Sequence, residues 1–343
     1  MKLHIETQEL RMRHVWRISR DQAMSKVNVV IQLEHDGIIG FGEAAPNIRY
    51  RETTESTVAF LEKARPVIEA ADPWRFQDFM RRIHELDEGQ NAAKAAVDMA
   101  VLDWVGKKLD VPLFRYFGLD AGKTPVTSYS IGIDTPEKIK EKIREAEGFP
   151  ILKIKLGSEN DEQIMQAVRE ATDRTVRVDA NEGWPDPRQA LEKMHWLAQL
   201  NVEFVEQPLP AGRLDDVAWL RERAPLPIVA DEDVHLARDI PALAHAYDGI
   251  NIKIMKSGGL LEALRMIHTA RAHGLSVMLG CMIESSLAIT AAAHLSPLVD
   301  WADLDGNLLL AADPFTGGGV REGKLILPDG PGLGVQRNQE QNG

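Results

Sequence analysis

The chain has 343 residues, with 52 acidic and 40 basic side chains and a formal net charge of −12 at pH 7. This acidity disfavours binding to nucleic acid or to anionic membrane surfaces. No run of about 18 apolar residues predicts a transmembrane helix, and the N-terminal sequence lacks the apolar core and cleavage site of a signal peptide. A single cysteine, Cys281, excludes an internal disulfide framework. We therefore expect a protein of the cytoplasm.

The first predicted region, residues 1–120, combines strands with helices. Two strand patterns come first, HIETQELRMRHVWRI and KVNVVIQLEHDGIIGFGEA, and His35-Asp36-Gly37 predicts a tight turn inside the second. Three helical patterns follow, TTESTVAFLEKARPVIEA, DPWRFQDFMRRIHEL and AAKAAVDMAVLDWVGKKL. A run of strands followed by a run of helices is typical of an α+β module.

From residue 121 to about 320, strand patterns alternate strictly with helical ones. The eight strand patterns are VTSYSIG, ILKIKLG, VRVDANEG, VEFVEQP, LPIVADED, GINIKIM, SVMLGCM and WADLDG. Eight strands at a spacing of roughly 25 residues favour a (β/α) barrel over an open doubly wound sheet. The segment after the last strand, LLLAADPFTGGG, is a poor helix, and the tail REGKLILPDGPGLG predicts a short hairpin that returns to the N-terminal module.

Three carboxylates end successive strand patterns of this predicted barrel. They are Asp179, Glu206 and Asp231. Helix capping explains one of them readily, but not all three. Because the C-terminal ends of barrel strands meet at one face, we expect these side chains to lie together. Oxygen-only ligands favour Mg²⁺ or Mn²⁺ over zinc.

Lysines mark the second and sixth predicted barrel strands. Lys153 and Lys155 alternate along ILKIKLG and therefore share one face of the strand. Repulsion between two ammonium groups is expected to lower the pKa of at least one, as a lysine base requires. Across the barrel, Lys256 follows GINIKIM at the rim, where barrel active sites lie, so we favour it over Lys253 inside the strand. The alternative for each is a solvent-facing lysine.

Two further carboxylates, Asp303 and Asp305, lie on one face of the eighth strand pattern, WADLDG. Two close carboxylates need a cation to remain ionised, and either a second metal or a substrate ammonium group would serve. The ammonium group is the simpler partner. For Asp305, a plain turn residue before Gly306 is an alternative.

The positions of these groups predict a reaction at a carbon acid. In an eight-stranded barrel, strands two and six are opposite, and the three metal-ligand strands lie between them. A substrate carboxylate on the metal would therefore have Lys155 on one face of its α-carbon and Lys256 on the other. One lysine would remove the α-proton to give an enediolate that the metal stabilises, and the other would return a proton to the opposite face. This two-base 1,1-proton transfer indicates a racemase or epimerase.

Together these motifs resemble the enolase superfamily, in particular its muconate-lactonizing-enzyme-like subgroup, over nearly the whole chain. The resemblance is carried by KIK, DAN, EQP, DED and NIKIMKSGG. It implies a modified (β/α)7β TIM-like barrel over residues 121–320. It also implies an α+β capping domain over residues 1–120 that the C-terminal segment, residues 321–343, completes. It implies one Mg²⁺ per subunit, held by Asp179, Glu206 and Asp231. It also implies an acid/base pair formed by Lys155 and Lys256, with Lys153 in support.

Within this subgroup, GCMIESSLAIT followed by ADLDG looks like the dipeptide epimerases, whose DxD motif binds the dipeptide amino terminus. The segments RISRD and NIRYRET look most like the loops near residues 20 and 50 that close over the barrel mouth in L-Ala-D/L-Glu epimerases. The implied substrate contacts are Asp303, Asp305, Ser130, Ile283 and Arg20, with Arg49 and Arg51 as rivals of Arg20. Ile283 is apolar where an enzyme for cationic dipeptides would offer a carboxylate.

The expected function is Mg²⁺-dependent epimerisation of a dipeptide at the α-carbon of its C-terminal residue. L-Ala-D/L-Glu or a related dipeptide is the expected substrate, in murein peptide recycling or general peptide metabolism, and a homo-oligomer is the expected assembly. An o-succinylbenzoate synthase-like lyase and an N-acylamino acid racemase of the same superfamily are the alternatives. Asp303 and Asp305 disfavour the lyase, because they would repel a dianionic substrate. A non-catalytic barrel that only binds a ligand would require a missing metal ligand or lysine, and none is missing.

Overall fold

An antiparallel three-stranded sheet forms the N-terminal part of the structure, a computed structural model that describes residues 1–338. Its strands, in spatial order, are β1 (Lys2–Ile18), β2 (Asp21–His35) and β3 (Ile38–Ala44). The predicted turn joins β2 to β3, with positive φ angles of 50° at Asp36 and 72° at Gly37, as a tight hairpin turn requires. The pairing of β1 with β2 shifts register between Arg11 and Trp16, and such an irregularity bends the strand.

Three helices follow this sheet, as predicted. They are α1 (Thr54–Glu69), α2 (Phe76–Glu85) and α3 (Asn91–Leu109). α3 is buried over most of its length and lies against β3. At Gly40 and Gly42 of β3, a side-chain carbon would collide with backbone oxygens of α3. Glycine at both positions therefore permits the close approach of helix and sheet.

The second part of the structure is a parallel eight-stranded sheet in which neighbours in sequence are neighbours in space. The strands are β4 (Tyr129–Ile131), β5 (Ile151–Lys155), β6 (Thr175–Asp179), β7 (Val202–Glu206), β8 (Ile228–Ala230), β9 (Gly249–Lys253), β10 (Ser276–Gly280) and β11 (Trp301–Asp303). A parallel bridge between Thr127 and Ala302 connects the first strand region to the last. All eight predicted strands and the barrel architecture are confirmed.

A short helix, α4 (Leu113–Tyr116), precedes the barrel and contacts α3. The helices between and after the barrel strands are α5 (Pro136–Glu145), α6 (Asp161–Ala171), α7 (Pro187–Leu197), α8 (Leu214–Arg221), α9 (Ile240–Leu243), α10 (Ile254–Ser257), α11 (Leu260–Ala272) and α12 (Ser286–Ala293). The short α10, directly after β9, was not predicted. A 3-10 helix, Gly306–Leu309, follows β11 in place of a full helix, which confirms the modified barrel. Over residues 1–338, no helix has the length and apolar character needed to cross a membrane.

Four short strands follow the barrel within the described residues. They are β12 (Phe315–Thr316), β13 (Gly319–Arg321), β14 (Lys324–Ile326) and β15 (Gln336–Arg337). β13 and β14 form the predicted hairpin. Beyond it the chain contacts α3, where the Leu333 amide donates to Asp103 Oδ1 at 2.8 Å. The domain boundaries at residues 120 and 320 stay a prediction, and residues 339–343 of the expected return segment lie outside the described residues.

Candidate active site

Three buried carboxylates lie together at the C-terminal ends of β6, β7 and β8. Asp179 and Glu206 are register partners at the ends of neighbouring strands, and Asp231 follows the last residue of β8. Each is at most 1% exposed, and one oxygen of each lies within 4.8 Å of the others. Burial, and then repulsion from Asp179, raise the pKa of Glu206 to about 7. Crowded oxygen donors of this kind fit a hard divalent cation such as Mg²⁺.

Two lysines of β5 reach this group from one side. Lys155 Nζ lies 2.6 Å from Asp179 Oδ2. Lys153 Nζ lies 2.6 Å from Asp303 Oδ2 and 2.7 Å from Glu206 Oε2. Burial alone would lower the pKa of Lys153, but Asp303, Glu206 and Asp179 outweigh it and hold that pKa well above its usual value. The lowered pKa expected from lysine repulsion is therefore not found at Lys153, because three carboxylates surround its ammonium group.

Lys253 and Lys256, the two candidates for the opposite side, have different surroundings. Lys253, the last residue of β9, lines the same cleft as Lys155, and each is 7% exposed. β5 and β9 are separated by three strands in either direction around the barrel, so these two lysines lie on opposite walls. Lys256 lies on α10, is 2% exposed and faces a separate pocket beside Arg51. The predicted Lys256 therefore does not line the cleft, whereas Lys253 does, because Lys256 lies on α10 beyond the end of the strand.

Both of these lysines contact the metal-ligand candidate Asp231. Lys253 Nζ donates to Asp231 Oδ2 at 2.8 Å. Lys256 Nζ donates to the other carboxylate oxygen, to the Asp231 carbonyl and to the Asn251 carbonyl. Burial lowers the pKa of Lys256. Burial acts in the same direction on Lys253, but Asp231 and Glu206 outweigh it and raise its pKa well above the usual value.

The two aspartates of the eighth strand line the cleft as well. Asp303 ends β11 and Asp305 lies two residues beyond it, and both accept from Ser130 Oγ, at 3.2 Å and 3.4 Å. Asp303 accepts hydrogen bonds from Lys153 and from Ser128 Oγ at 2.7 Å. Asp305 Oδ2 accepts from the Ser130 amide at 2.5 Å. Burial, and then repulsion from Asp303, raise the pKa of Asp305 to about 7.

The cleft reaches from the barrel mouth to the β1–β2 hairpin of the N-terminal sheet. Arg20, at the tip of that hairpin, lines it and donates to the Asn181 carbonyl at 2.9 Å and to Glu232 Oε1 at 2.5 Å. Ile283 also lines the cleft, and it packs with Leu10. A cleft lined by both charged and apolar side chains suits a small organic ligand.

The two rivals of Arg20 lie elsewhere. Arg49 makes a two-pronged ion pair with Glu182, with its Nε and Nη2 at 2.8 Å and 2.7 Å from the carboxylate oxygens. Neither Arg49 nor Arg51 lines the cleft, and both border the separate pocket next to Lys256. Of the three arginines, Arg20 is therefore the one that faces the cleft.

Sequence reasoning missed several residues that line the cleft, among them Lys26, Asn28 and Trp16. All three lie on the β1–β2 hairpin, far in sequence from the barrel motifs. Lys26 Nζ lies 3.2 Å from Asp21 Oδ2 at the mouth. The resemblance placed the tip of this hairpin, RISRD, over the barrel mouth, but no local pattern shows which of its other side chains face the cleft. Asn181 could have been found, because it belongs to the DAN motif that contains Asp179.

Two family models match the chain. One, Mandelate racemase / muconate lactonizing enzyme, N-terminal domain, covers residues 3–118, and the other, Enolase C-terminal domain-like, covers residues 137–341. The chain therefore belongs to the mandelate racemase/muconate lactonizing enzyme family of the enolase superfamily, and within it to the dipeptide epimerases, which are isomerases acting on amino acid derivatives.

The individual relatives have related activities. The chain is 43% identical to an L-Ala-D/L-Glu epimerase of Bacteroides thetaiotaomicron, over 98% of this chain and 88% of that protein. It is 39% identical to a hydrophobic dipeptide epimerase of a Flavobacteria bacterium, over 99% of each. A dipeptide epimerase of Enterococcus faecalis, solved with Mg and the dipeptide L-Leu-L-Tyr, superposes with a TM-score of 0.91 at 32% identity, over 98% of this chain and 99% of that one.

Proposed function

We propose that this chain inverts the α-carbon of the C-terminal residue of a dipeptide, by two-base proton transfer between Lys155 and Lys253. The observation that carries the proposal is the position of these two lysines on opposite walls of one cleft. Between them lie the three carboxylates that fit a divalent cation. A substrate carboxylate held there would present its α-carbon to both lysines, one on each face.

The proposed chemistry divides among these groups. Mg²⁺ held by Asp179, Glu206 and Asp231 would neutralise the negative charge that develops on the substrate carboxylate as the α-proton leaves. In one direction Lys155 takes the α-proton and Lys253, whose pKa is raised well above its usual value, donates a proton to the other face. In the reverse direction the two lysines exchange roles. Lys256 contacts Asp231 from outside the cleft, and we assign it no proton-transfer role.

Asp305 is proposed to bind the α-ammonium group of the dipeptide. The Lys153 ammonium group already compensates the charge of Asp303 at 2.6 Å. Asp305 accepts only from Ser130 and the weak donor Cys281 within the described part of the chain, so its charge is the less compensated of the two. A substrate ammonium group would supply the missing positive charge. The same two carboxylates would repel a dianionic lyase substrate.

The side chains that line the cleft favour a dipeptide with a small N-terminal and an acidic C-terminal residue, such as L-Ala-D/L-Glu. Arg20 and Lys26 supply positive charge on the hairpin side of the cleft. The relative from Bacteroides thetaiotaomicron, an L-Ala-D/L-Glu epimerase, supports the same substrate. Hydrophobic dipeptides are the second candidate, because Trp16 and Ile283 line the same cleft and another relative is a hydrophobic dipeptide epimerase.

The cellular setting is part of the proposal. We infer a cytoplasmic enzyme with one Mg²⁺ per subunit, working as a homo-oligomer in the recycling of murein peptides. The single cysteine and the acidic composition are compatible with this setting.

The deciding experiment follows α-proton exchange and epimerisation by NMR in D₂O with a panel of dipeptides. L-Ala-L-Glu should exchange only the α-proton of its C-terminal residue and give the L-Ala-D-Glu product. Chelation should stop both processes, and added Mg²⁺ should restore them. Exchange at the N-terminal residue, or full turnover in protein shown to be free of metal, would contradict the proposal. Faster turnover of L-Leu-L-Tyr than of L-Ala-L-Glu would favour the second candidate.

A further inference from the structure

Gln207, the residue after Glu206, has an unusual backbone conformation for its type. Its φ is +36°, in the left-handed region that residues other than glycine seldom adopt. It is also completely buried. A buried, non-glycine residue persists in such a conformation only where its surroundings hold it firmly. The contacts of Gln207 show what holds it.

The side-chain amide of Gln207 bonds to the loop that follows β8. Its Oε1 accepts from the amides of Asp231 at 3.0 Å and Asp233 at 3.3 Å. Its Nε2 lies 2.9 Å from the Leu209 carbonyl, 3.0 Å from Asp233 Oδ2 and 3.1 Å from the Tyr247 hydroxyl. One amide group therefore ties the loop after Glu206 directly to the backbone of Asp231.

The backbone of Gln207 extends these connections to the neighbouring strands. Its amide donates to the Val229 carbonyl of β8 at 2.9 Å, and its carbonyl accepts from the Glu182 amide at 2.9 Å. Glu182 lies three residues after Asp179. Gln207 is thus hydrogen-bonded to the loops that follow β6 and β8, and it is the next residue after Glu206 of β7. It therefore contacts the backbone near each of the three candidate metal ligands.

We propose that Gln207 is a positioning residue that fixes the spacing of Asp179, Glu206 and Asp231 and thereby sets the affinity of the site for a divalent cation. This inference rests on the metal site of the proposed function. Groups that orient metal ligands from behind typically change metal affinity about 10- to 100-fold when they are removed. An amide is required because the position needs an acceptor for Asp231 N–H and a donor for the Leu209 carbonyl. Glutamate would lack the donor, and it would face Asp233.

The test compares Gln207→Met with Tyr247→Phe. Methionine has nearly the same length and volume but offers no amide, so all five side-chain bonds disappear. Tyr247→Phe removes one contact of Nε2 and the bond of the Tyr247 hydroxyl to Asp233, and it leaves both bonds of Oε1 intact. Binding of Mn²⁺ to each metal-free protein is measured by electron paramagnetic resonance, and the melting temperature of the metal-free form is recorded alongside.

We expect Gln207→Met to weaken Mn²⁺ binding at least about 10-fold, with activity recovering as Mg²⁺ is raised. Tyr247→Phe should bind Mn²⁺ within about 2-fold of wild type, because Gln207 Oε1 keeps both of its bonds and still orients the loop of Asp231. If Gln207→Met does not fold, Gln207→Asn serves instead. Its amide is one methylene too short to reach Asp231, so the same weakening is expected.

A purely structural role would give a different pattern. A folded variant with a lower melting temperature but the wild-type Mn²⁺ affinity would overturn this inference while leaving the proposed reaction intact. Wild-type protein that binds no Mn²⁺ would instead overturn the proposed metal site, and this inference with it. The two failures are therefore distinguishable.

Discussion

Lys253 and Lys256 are only three residues apart, yet we expect their mutation to affect epimerisation differently. Lys155→Ala and Lys253→Ala should each lower epimerisation by at least about 10³-fold, because each removes the only acid or base on one face. Each variant should still exchange the α-proton of one epimer, and the two should retain opposite epimers. NMR in D₂O with each pure epimer measures both rates.

Lys256→Met is the matched comparison for this pair. It removes a buried partner of Asp231, so we expect weaker metal binding, with epimerisation still detectable at high Mg²⁺ and no preference for one epimer. If Lys256→Met instead leaves exchange of a single epimer while Lys253→Ala epimerises normally, the second base is Lys256.

The aspartate pair of the eighth strand gives a second prediction. Breaking a buried charge pair costs about 3–5 kcal/mol, so Asp305→Asn should lower kcat/KM for a dipeptide by two orders of magnitude or more. N-acetylating the dipeptide should cost the wild type a similar factor and the variant much less, because the interaction is already gone. The measurement is a double cycle of enzyme variant against substrate acetylation.

Additive losses in that cycle would mean that Asp305 does not contact the amino group. Asp303→Asn is the informative companion, because Asp303 is bound to Lys153. We expect it to lower the rate with both free and acetylated dipeptides, since it disturbs the lysine as well.

At this scale the sequence was informative wherever a residue stands in a motif at the end of a strand. Asp179, Glu206 and Asp231 could be predicted to meet because parallel strands bring their C-terminal ends together. Lys26 and Trp16 could not, because the resemblance of the hairpin tip does not show which side chains along β1 and β2 face the cleft. The role of Gln207 depends on bonds to residues more than twenty positions away, which no local pattern encodes.

At the scale of elements, the same contrast explains why the sequence favoured Lys256 over Lys253. Short runs rich in Val and Ile, each followed by an amphipathic helix, made all eight barrel strands predictable. NIKIMKSGG, however, reads as one continuous strand that ends in a loop. In the structure the strand ends at Lys253 and α10 begins at the next residue. A four-residue helix has no periodicity long enough to detect, so the orientation of Lys256 was beyond sequence reasoning.

The helix α12 and its buried histidine give a prediction on pH. His294, just beyond α12, is fully buried. It accepts from the Phe114 amide at 3.1 Å, which leaves its other nitrogen to donate to the Leu333 carbonyl at 3.1 Å. Burial lowers its pKa to about 4, whereas an unfolded histidine titrates near about 6.5. The unfolded chain therefore binds this proton first as the pH falls, and stability is lost between about pH 6.5 and pH 4.

From pH 7 to pH 5, this histidine should cost the wild type about 2 kcal/mol of unfolding free energy. His294→Gln can keep one donor and one acceptor but does not titrate. Over the same pH change, the unfolding free energy of the variant should therefore fall by about that amount less than that of the wild type. This holds even if the variant is less stable at pH 7. Urea unfolding at the two pH values measures the difference. His268→Gln, at an exposed position of α11, is the control and should keep the wild-type pH dependence.

At the scale of the whole molecule, the C-terminal segment connects the two parts of the chain. Leu333 is completely buried. Its amide bonds to Asp103 on α3 and its carbonyl to His294 beside α12. A single residue near the end of the chain thus joins a helix of the N-terminal region to one that covers the barrel. This arrangement supports the predicted role of the segment in completing the capping domain.

Removing residues 328–343 should therefore destabilise both parts together. Asp103 would keep a buried carboxylate with one backbone donor fewer, and the buried Leu333 and Val335 side chains would leave apolar gaps. Hydrogen exchange followed by mass spectrometry should show that α3 and α12 lose protection in parallel. Arg337→Ala is the control, because it removes only a half-exposed ion pair with Glu6, worth less than about 1 kcal/mol. Wild-type protection of α3 in the truncated chain would show that the N-terminal region is stable without the return segment.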